Sequence, residues 1–310
     1  MRIIFFGSPS EATDSLDSLI AAGHDVAAVY SQPDRKSGRG RANTPTPVKS
    51  YAVDNDLAVF TPSSLRNNED EMARLADFNA DVFVVVAYGR ILPPAALQIP
   101  PMGVMNIHPS LLPLHRGPSP VVTAILEGRD ATGVTVMLLD EGMDTGPILA
   151  QSAPISLTGY EKGAELQDSL FKEGASMLPA VLEGLQDGSI VPQAQNDSLA
   201  TVTGLLERSD GEIDWSNTSQ QIDRMIRAYD PWPGTFTSWN DRGLKILAAD
   251  LVGEKSQGAG FVFSDEGRLF VGTESGSLEL KQLQLEGRQA IAAADFLRGQ
   301  PDIDGATLGT

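Results

Sequence analysis

The sequence predicts an α/β protein in which a doubly wound parallel sheet is followed by a smaller β-barrel domain. Three observations lead to this expectation. Short apolar runs alternate with amphipathic stretches over the first half of the chain, the alternation stops near Gly188, and closely spaced strand-like runs begin after Thr235. Continuous apolar runs are typical of strands buried on both faces, and strands that alternate with helices form parallel sheets.

The strands of the first domain are predicted where Val- and Ile-rich runs lie, at residues 3–6, 26–30, 82–88, 104–107 and 134–139. Helices are predicted between and after them, at about 10–22, 68–77, 119–127 and 160–187. In the last of these, leucine and valine recur at spacings that keep them on one face. Together these elements predict a Rossmann-like domain over residues 1–188.

The second half of the chain has a different pattern. Residues 189–205 are polar and poorly periodic, so we interpret them as a linker. A helix at about 218–229 follows, and after it come short strand-like runs separated by turn signals such as Asp241-Arg242-Gly243. Strands this short and this closely spaced predict a small OB-like barrel over residues 206–310.

Composition excludes several classes of site. The chain is 41% hydrophobic and 21% charged, which is ordinary for a globular protein. It has no cysteine, which excludes disulfides, thiolate nucleophiles and Cys-containing zinc sites. Its three histidines are not spaced as a metal-binding pair, so we expect no metal. We find neither an export signal nor an apolar stretch long enough to span a membrane, and we expect a cytoplasmic protein.

The net charge of −18 bears on possible partners. An acidic chain has no overall attraction for nucleic acid, so any such binding would depend on a local basic patch. One candidate segment, residues 35–49, has no acidic residue and contains Arg35, Lys36, Arg39, Arg41 and Lys49. Composition alone leaves open whether this segment is a solvated loop or a binding element.

Asn106 and His108 stand two residues apart at the end of the predicted strand 104–107, just before Pro109. Strand alternation places both side chains on one face, and doubly wound folds bind ligands at the carboxyl edge of the sheet. An amide donor beside an imidazole could hold a developing oxyanion. A structural histidine with a turn-capping asparagine is the alternative.

A second polar segment follows the predicted strand 134–139. Its loop contains Asp140, Glu141 and Asp144 between glycines. Because we expect this strand to be parallel as well, we place the loop at the same edge, where a carboxylate could polarise the histidine or relay protons through water. An acidic turn without a catalytic role is the alternative.

The segments NIHPSLLPLHRG and DEGMDTGPIL resemble the signature of the folate-dependent formyltransferases, which move a formyl group from 10-formyltetrahydrofolate to an amine. The resemblance implies that Asn106, His108 and Asp144 are catalytic. The expected folate-contacting residues are Ser110, Leu111, Leu112, Pro113, Val86, Tyr88, Gly89, Ile91, Leu92 and Asp140. For those at the end of strand 82–88, burial in the core is an equally good explanation.

Further segments, among them SQPDRKSGRGR, IRAYDPWPG and AADFLRG, are similar to the branch of this family that formylates initiator methionyl-tRNA. In that branch the loop holding Gly38-Arg39-Gly40 reaches the acceptor end of the tRNA. The resemblance therefore implies a tRNA-binding role for Arg39, Arg41, Arg35 and Lys36. We expect a monomer without membrane association.

Three other functions share some of these features. A formyltransferase acting on an amino sugar nucleotide would keep the same site and is the main alternative. A catalytically silent folate- or tRNA-binding protein is disfavoured because Asn106, His108 and Asp144 are all present. A dinucleotide oxidoreductase is disfavoured because Gly7-Ser-Pro-Ser is not a Gly-x-Gly-x-x-Gly turn.

Overall fold

The computed structural model describes residues 1–37, 42–253 and 256–309. Its strands are β1 (Arg2–Gly7), β2 (Asp25–Tyr30), β3 (Arg35–Ser37), β4 (Ala42–Thr44), β5 (Val59–Phe60), β6 (Val82–Val86), β7 (Val104–His108), β8 (Ala131–Thr132), β9 (Thr135–Leu138), β10 (Ile148–Gln151), β11 (Ile155–Ser156), β12 (Thr235–Trp239), β13 (Arg242–Val252), β14 (Val262–Asp265), β15 (Arg268–Gly272), β16 (Ser277–Leu285) and β17 (Ile291–Ala292). Its α-helices are α1 (Thr13–Ala21), α2 (Pro47–Asp54), α3 (Glu69–Asp77), α4 (Pro94–Leu97), α5 (Pro120–Leu126), α6 (Gly163–Asp187), α7 (Ser219–Ala228) and α8 (Ala293–Gly299).

The chain divides into two compact units. Unit 1 comprises Met1–Pro120, Ala131–Ser156 and Gln167–Thr203. Unit 2 comprises Val121–Asp130, Leu157–Leu166 and Gly204–Thr310. None of the helices in the described ranges combines the length and the hydrophobicity that crossing a bilayer requires.

Unit 1 is built around a seven-stranded sheet in the order β10-β9-β7-β6-β1-β2-β5. The five strands from β7 to β5 are parallel to one another. All of β6 is buried, and so is β1 after its first residue, as the continuous apolar runs predict. The predicted run 82–88 ends as a strand at Val86, because Ala87 adopts a φ of 47°, outside the β region.

The strand order of unit 1 reverses between β1 and β6, which is the point where doubly wound sheets bind ligands. Hydrogen bonds join the loop that follows β6 to the loops that follow β1 and β2. The carbonyl oxygen of Tyr88 accepts from Ser8 Oγ at 3.0 Å and from Gln32 Nε2 at 2.8 Å. The doubly wound fold predicted for the first domain is confirmed.

Strand β9 runs antiparallel to β7, so the expectation of a parallel strand at 134–139 is wrong. The register pairs His108 with Thr135 and Met105 with Leu138. The carboxyl end of β9 therefore lies at the opposite end of β7 from His108. An apolar run is equally well buried in either direction, and the sequence of a buried strand does not fix its orientation.

Unit 2 contains an antiparallel sheet in the order β12-β13-β16-β15-β14, with β17 paired to β16. These strands share one core with α7 and α8, to which Trp215, Ile222 and Phe296 contribute. The register of the long strand β13 shifts between Ile246 and Ala249, an irregularity that bends a strand. The smaller C-terminal β domain, predicted as an OB-like barrel, is confirmed as a β domain. In the described ranges its sheet is antiparallel, with β12 and β14 at its two ends and not paired with each other.

The segment interpreted as a linker folds onto unit 1 as far as Thr203. Gln193 and Ile148 exchange two backbone hydrogen bonds, each 2.8 Å long. Arg116 N donates to the Thr201 carbonyl at 2.8 Å, and Thr203 N donates to the Arg116 carbonyl at 2.7 Å. The segment thus reaches the residues that follow β7.

Candidate functional site

Asn106 and His108 lie on the same face of β7 at its carboxyl end, as predicted. Asn106 is half-buried, and among the described residues its side-chain amide has no hydrogen-bond partner. His108 is only 4% exposed, and its Nε2 lies 2.9 Å from the carbonyl oxygen of His115. A carbonyl can only accept, so Nε2 carries a proton and Nδ1 is the nitrogen left for chemistry.

Asp144 faces this second nitrogen. Its Oδ2 lies 3.6 Å from His108 Nδ1 and accepts a 2.7 Å hydrogen bond from the backbone N–H of Gly117. Because β9 ends beside Met105, the loop after it must fold back along β7 to bring Asp144 to His108. Asp144 has a φ of 52°, in the left-handed region that few non-glycine residues occupy.

The protonation of the pair follows from its surroundings. Burial lowers the pKa of His108, while the nearby charge of Asp144 and the hydrogen bond to the His115 carbonyl act in the opposite direction. Because burial prevails, the ring is neutral at pH 7 and its Nδ1 carries a lone pair. Nδ1 and the Asp144 carboxylate together form an acceptor for one proton.

Two glycines allow the chain to pass closely enough to form this arrangement. A Cβ at Gly117, where φ is +106°, would lie 2.7 Å from the Thr203 carbonyl oxygen. A Cβ at Gly146 would lie 1.9 Å from the Leu138 carbonyl oxygen. The contact at Gly146 would displace the loop that carries Asp144. The contact at Gly117 would displace the segment whose N–H donates to Asp144.

Gln195 and Arg116 support the site and were missed by the sequence analysis. Gln195 Nε2 donates to the carbonyl oxygens of Asp144 at 2.8 Å and Gly146 at 2.7 Å. The Gln195 Oε1 atom accepts a 3.0 Å hydrogen bond from Arg116 Nε. Arg116 stands in the quoted signature LHRG, but Gln195 lies in a polar stretch that gives no local signal.

The predicted folate segment 110–113 follows β7 directly. Ser110 is buried and its hydroxyl donates to the Leu114 carbonyl at 2.7 Å. Leu112 is also buried, its N–H donates to Thr135 Oγ1 at 3.0 Å, and its bond to Pro113 is cis. Leu111 and Pro113 are half-buried, so in this segment they offer the more accessible apolar surface.

The predicted folate residues around the end of β6 divide by exposure. Val86, Tyr88 and Leu92 are buried, whereas Gly89 is exposed and the Ile91 side chain is 90% exposed. Burial raises the pKa of Tyr88 to about 12, and its hydroxyl has no hydrogen-bond partner among the described residues. Of the predicted apolar contacts here, Ile91 is the one free to touch a ligand.

Asp140 holds the shape of its own loop. Its Oδ1 accepts from the Gly142 N–H at 3.0 Å and from Thr145 Oγ1 at 2.7 Å. The residue is exposed, so its second carboxylate oxygen remains accessible beside the turn that leads to Asp144.

Arg39 and Arg41 of the predicted basic loop lie outside the described residues. The flanking strands β3 and β4 form an antiparallel pair in which Arg35 is opposite Thr44 and Lys36 is opposite Asn43. Arg35 is exposed and its guanidinium contacts the Gln32 side chain.

Solved structures of similar fold bind folates. HypX from Aquifex aeolicus in complex with tetrahydrofolic acid is 18% identical, with a TM-score of 0.65, over 97% of this chain and 47% of that one. An N-formyltransferase from Helicobacter canadensis, in complex with folinic acid and dTDP-3-aminofucose, is 19% identical, with a TM-score of 0.66, over 90% of this chain and 98% of that one. At this level of identity the likeness shows the fold.

Comparison at the sequence level is more specific. Residues 1–182 match the family model for formyl transferase, and residues 205–301 match the model for the formyl transferase C-terminal domain. A methionyl-tRNA formyltransferase from Chloroflexus aggregans is 47% identical over 314 residues, covering 100% of both chains. One from Dehalococcoides mccartyi (strain 195) is 43% identical over 311 residues, covering 100% of this chain and 99% of its own. The chain therefore belongs to the formyl transferase family, and these full-length relatives within it are methionyl-tRNA formyltransferases.

Proposed function

We propose that this enzyme transfers the formyl group of 10-formyltetrahydrofolate to the methionine amino group of initiator methionyl-tRNA, with Asn106, His108 and Asp144 as its catalytic residues. The observation that carries the residue assignment is the geometry at the end of β7. The Asn106 amide, which has no hydrogen-bond partner in the part of the chain that the structure describes, stands two positions from a buried histidine whose Nδ1 lies 3.6 Å from Asp144 Oδ2. The full-length relatives support the acceptor.

The reaction begins when the methionine nitrogen attacks the formyl carbon. The new C–N bond forms as the carbonyl π electrons move to oxygen, and the Asn106 amide donates a hydrogen bond to that oxyanion. The proton of the attacking amine passes to His108 Nδ1, directly or through water, and Asp144 stabilises the resulting imidazolium. The intermediate collapses as the bond to the folate N10 breaks, and N10 takes the proton. The products are formyl-methionyl-tRNA and tetrahydrofolate.

The folate is proposed to lie across the carboxyl ends of β6 and β7. The segment 110–113 would border it on one side, with Val86, Tyr88, Gly89, Ile91 and Leu92 on the other and Asp140 at the edge. The exposure of Ile91 and the partial exposure of Leu111 and Pro113 support this placement. Apolar side chains with a few placed polar groups are the usual lining of a cofactor site.

The tRNA is proposed to contact the basic segment 35–41 through Arg35, Lys36, Arg39 and Arg41. Arginine can both pair with phosphate and stack on a base. Because the whole chain carries a net charge of −18, attraction is confined to this local patch and binding should be strongly salt-dependent. The variant Arg39→Ala should raise the KM for tRNA while leaving the KM for the folate donor unchanged.

The domain assignment is part of the same proposal. Residues 1–188 would form the catalytic domain, 189–205 the connecting segment and 206–310 the C-terminal domain. We also propose that the enzyme acts as a monomer in the cytoplasm, where its tRNA substrate is charged. Light scattering on the purified protein tests the monomer.

An acceptor comparison tests the proposed function. Purified enzyme and 10-formyltetrahydrofolate are incubated with charged initiator tRNA, charged elongator methionyl-tRNA, or a nucleotide-linked amino sugar. Formylation of the initiator species at a kcat/KM at least 10²-fold above both others supports the proposal. Preferential formylation of the amino sugar nucleotide would instead support the alternative suggested by the fold of the Helicobacter enzyme.

A further inference from the structure

Both polar atoms of the Gln195 side chain make hydrogen bonds, and the amide nitrogen holds the loop that carries Asp144. Its amide nitrogen donates to the carbonyl oxygens of Asp144 and Gly146, at 2.8 and 2.7 Å. Its amide oxygen accepts from Arg116 Nε at 3.0 Å. A side chain with both amide hydrogens and its oxygen engaged has a fixed orientation, and it fixes that of its partners.

Arg116 contacts the amide oxygen of Gln195 and so holds the other end of its amide group. Its side chain is 8% exposed, and its Nη2 atom pairs with Asp197 Oδ1 at 2.7 Å. The backbone of Arg116 is also hydrogen-bonded to residues 201–203. Its N–H donates to the Thr201 carbonyl at 2.8 Å, and its carbonyl oxygen accepts from Thr203 N at 2.7 Å. Gln195 is therefore held between a buried guanidinium and the loop that it supports.

The backbone on either side of Arg116 contacts both His108 and Asp144. The His115 carbonyl accepts from His108 Nε2 at 2.9 Å, and the Gly117 N–H donates to Asp144 Oδ2 at 2.7 Å. Asp144 itself adopts a left-handed φ of 52°, which is uncommon for a non-glycine residue although aspartate reaches it more readily than most. The hydrogen bond from Gln195 to the Asp144 carbonyl helps to hold the residue in this conformation.

We propose that Gln195 is a positioning residue for formyl transfer, which holds the Asp144 carboxylate against His108 with Arg116 as its anchor. The proposal rests on the catalytic assignment of Asp144 and His108 made above. It assigns to Gln195 and Arg116 a role in the chemical step rather than in substrate binding.

The test compares two substitutions at Gln195 with one at Gln193. Gln195→Met keeps the length of the side chain and removes its hydrogen bonds, whereas Gln195→Glu can still accept from Arg116 but brings a carboxylate against two carbonyl oxygens. Gln193→Met is the matched control, because the Gln193 side chain is exposed and has no hydrogen-bond partner among the described residues. Each variant is checked for its melting temperature and for its KM values.

We expect Gln195→Met to lower kcat by roughly 10- to 10²-fold, the cost of a misplacement of about 1 Å, with both KM values within about twofold of wild type. Gln195→Glu should be at least as slow as Gln195→Met. If the Gln195 side chain only fills space, the kcat of Gln195→Glu should stay near the wild-type value. Gln193→Met should match wild type. Equal rates for all variants, or a loss confined to KM, would overturn the proposal.

The pH profile of kcat separates positioning from general destabilisation. The titratable groups that act on His108 are Asp144, whose charge raises its pKa, and His115, whose charge lowers it. If Asp144 moves away in Gln195→Met, the pKa of His108 falls and the acid limb of the kcat–pH profile shifts to lower pH. If the protein is only less stable and the site is intact, the acid limb stays at its wild-type pH. Asp144→Asn is assayed alongside. If Asp144→Asn has a low kcat and Gln195→Met a normal one, only the positioning role of Gln195 is overturned. If Asp144→Asn has a normal kcat, the catalytic assignment of Asp144 is overturned.

Discussion

Asp144→Asn is the sharpest test of the proposed mechanism, because it removes one charge and almost no volume. The asparagine oxygen can still accept the hydrogen bond from Gly117, so the loop should keep its course. What is lost is the attraction between a carboxylate and the imidazolium that forms on His108 as the amine gives up its proton.

The distance sets the size of the effect. Two unit charges 3.6 Å apart attract by about 5 kcal/mol at an effective dielectric constant of about 20, and by about 1 kcal/mol at that of water. The Asp144 side chain is 16% exposed, so the value for this pair lies between these limits. At about 1.4 kcal/mol for each factor of ten, turnover should fall by roughly 10- to 10³-fold.

The assay is a single-turnover measurement of formyl transfer with saturating donor and charged initiator tRNA. Glu141→Gln is the control, since this exposed residue of the same loop loses the same charge. The acid limb of the pH profile should also move to lower pH in Asp144→Asn, because the charge that raises the pKa of His108 is gone. A rate within about threefold of wild type, or a limb that moves to higher pH, would refute the reasoning.

Three further predictions concern the oxyanion donor, the close approach at Gly146 and the titration of His108. Asn106→Ala should lower turnover by roughly 10²- to 10³-fold, as loss of an oxyanion donor does. Its melting temperature should not change, because the amide has no partner to lose among the residues that the structure describes. Gly146→Ala should destabilise the fold by about 3 kcal/mol or more in calorimetry, since its Cβ would lie 1.9 Å from the Leu138 carbonyl oxygen. Gly299→Ala, where the space is open, should melt near the wild-type temperature. Finally, the free energy of unfolding should fall as the pH drops below about 6.5, because the unfolded chain binds a proton that buried His108 resists. Denaturant titrations at two pH values should show a smaller fall in His108→Gln.

The sequence was sufficient to predict the buried strands and the placement of Asn106 and His108, because both depend on local patterns. Continuous apolar runs identify strands covered on both faces, and the alternation of side chains puts two residues of one strand on one face. The folding of the chain after β7 depends on contacts between distant residues and could not be predicted in the same way.

Asp144 illustrates the limit. The prediction that Asp144 lies near His108 depended on residues 134–139 running parallel to β7, whereas β9 is antiparallel to it. The two side chains meet because the loop after β9 folds back, which depends on the close approach of Gly146 to the Leu138 carbonyl. Gln195 is 51 residues from Asp144 and 79 from Arg116, so no local pattern indicates its contacts.

The course of residues 189–203 bears on how this protein can be divided or recombined. The two family models leave residues 183–204 unmatched, and a boundary drawn at the end of the first would seem harmless. A chain cut there keeps Asn106, His108 and Asp144 but loses Gln195 and the backbone bonds to Arg116. We therefore expect an exchange of C-terminal domains between relatives to keep these contacts intact when the crossover lies beyond Thr203. For the same reason, a nascent chain completes this site only after residue 203 has left the ribosome.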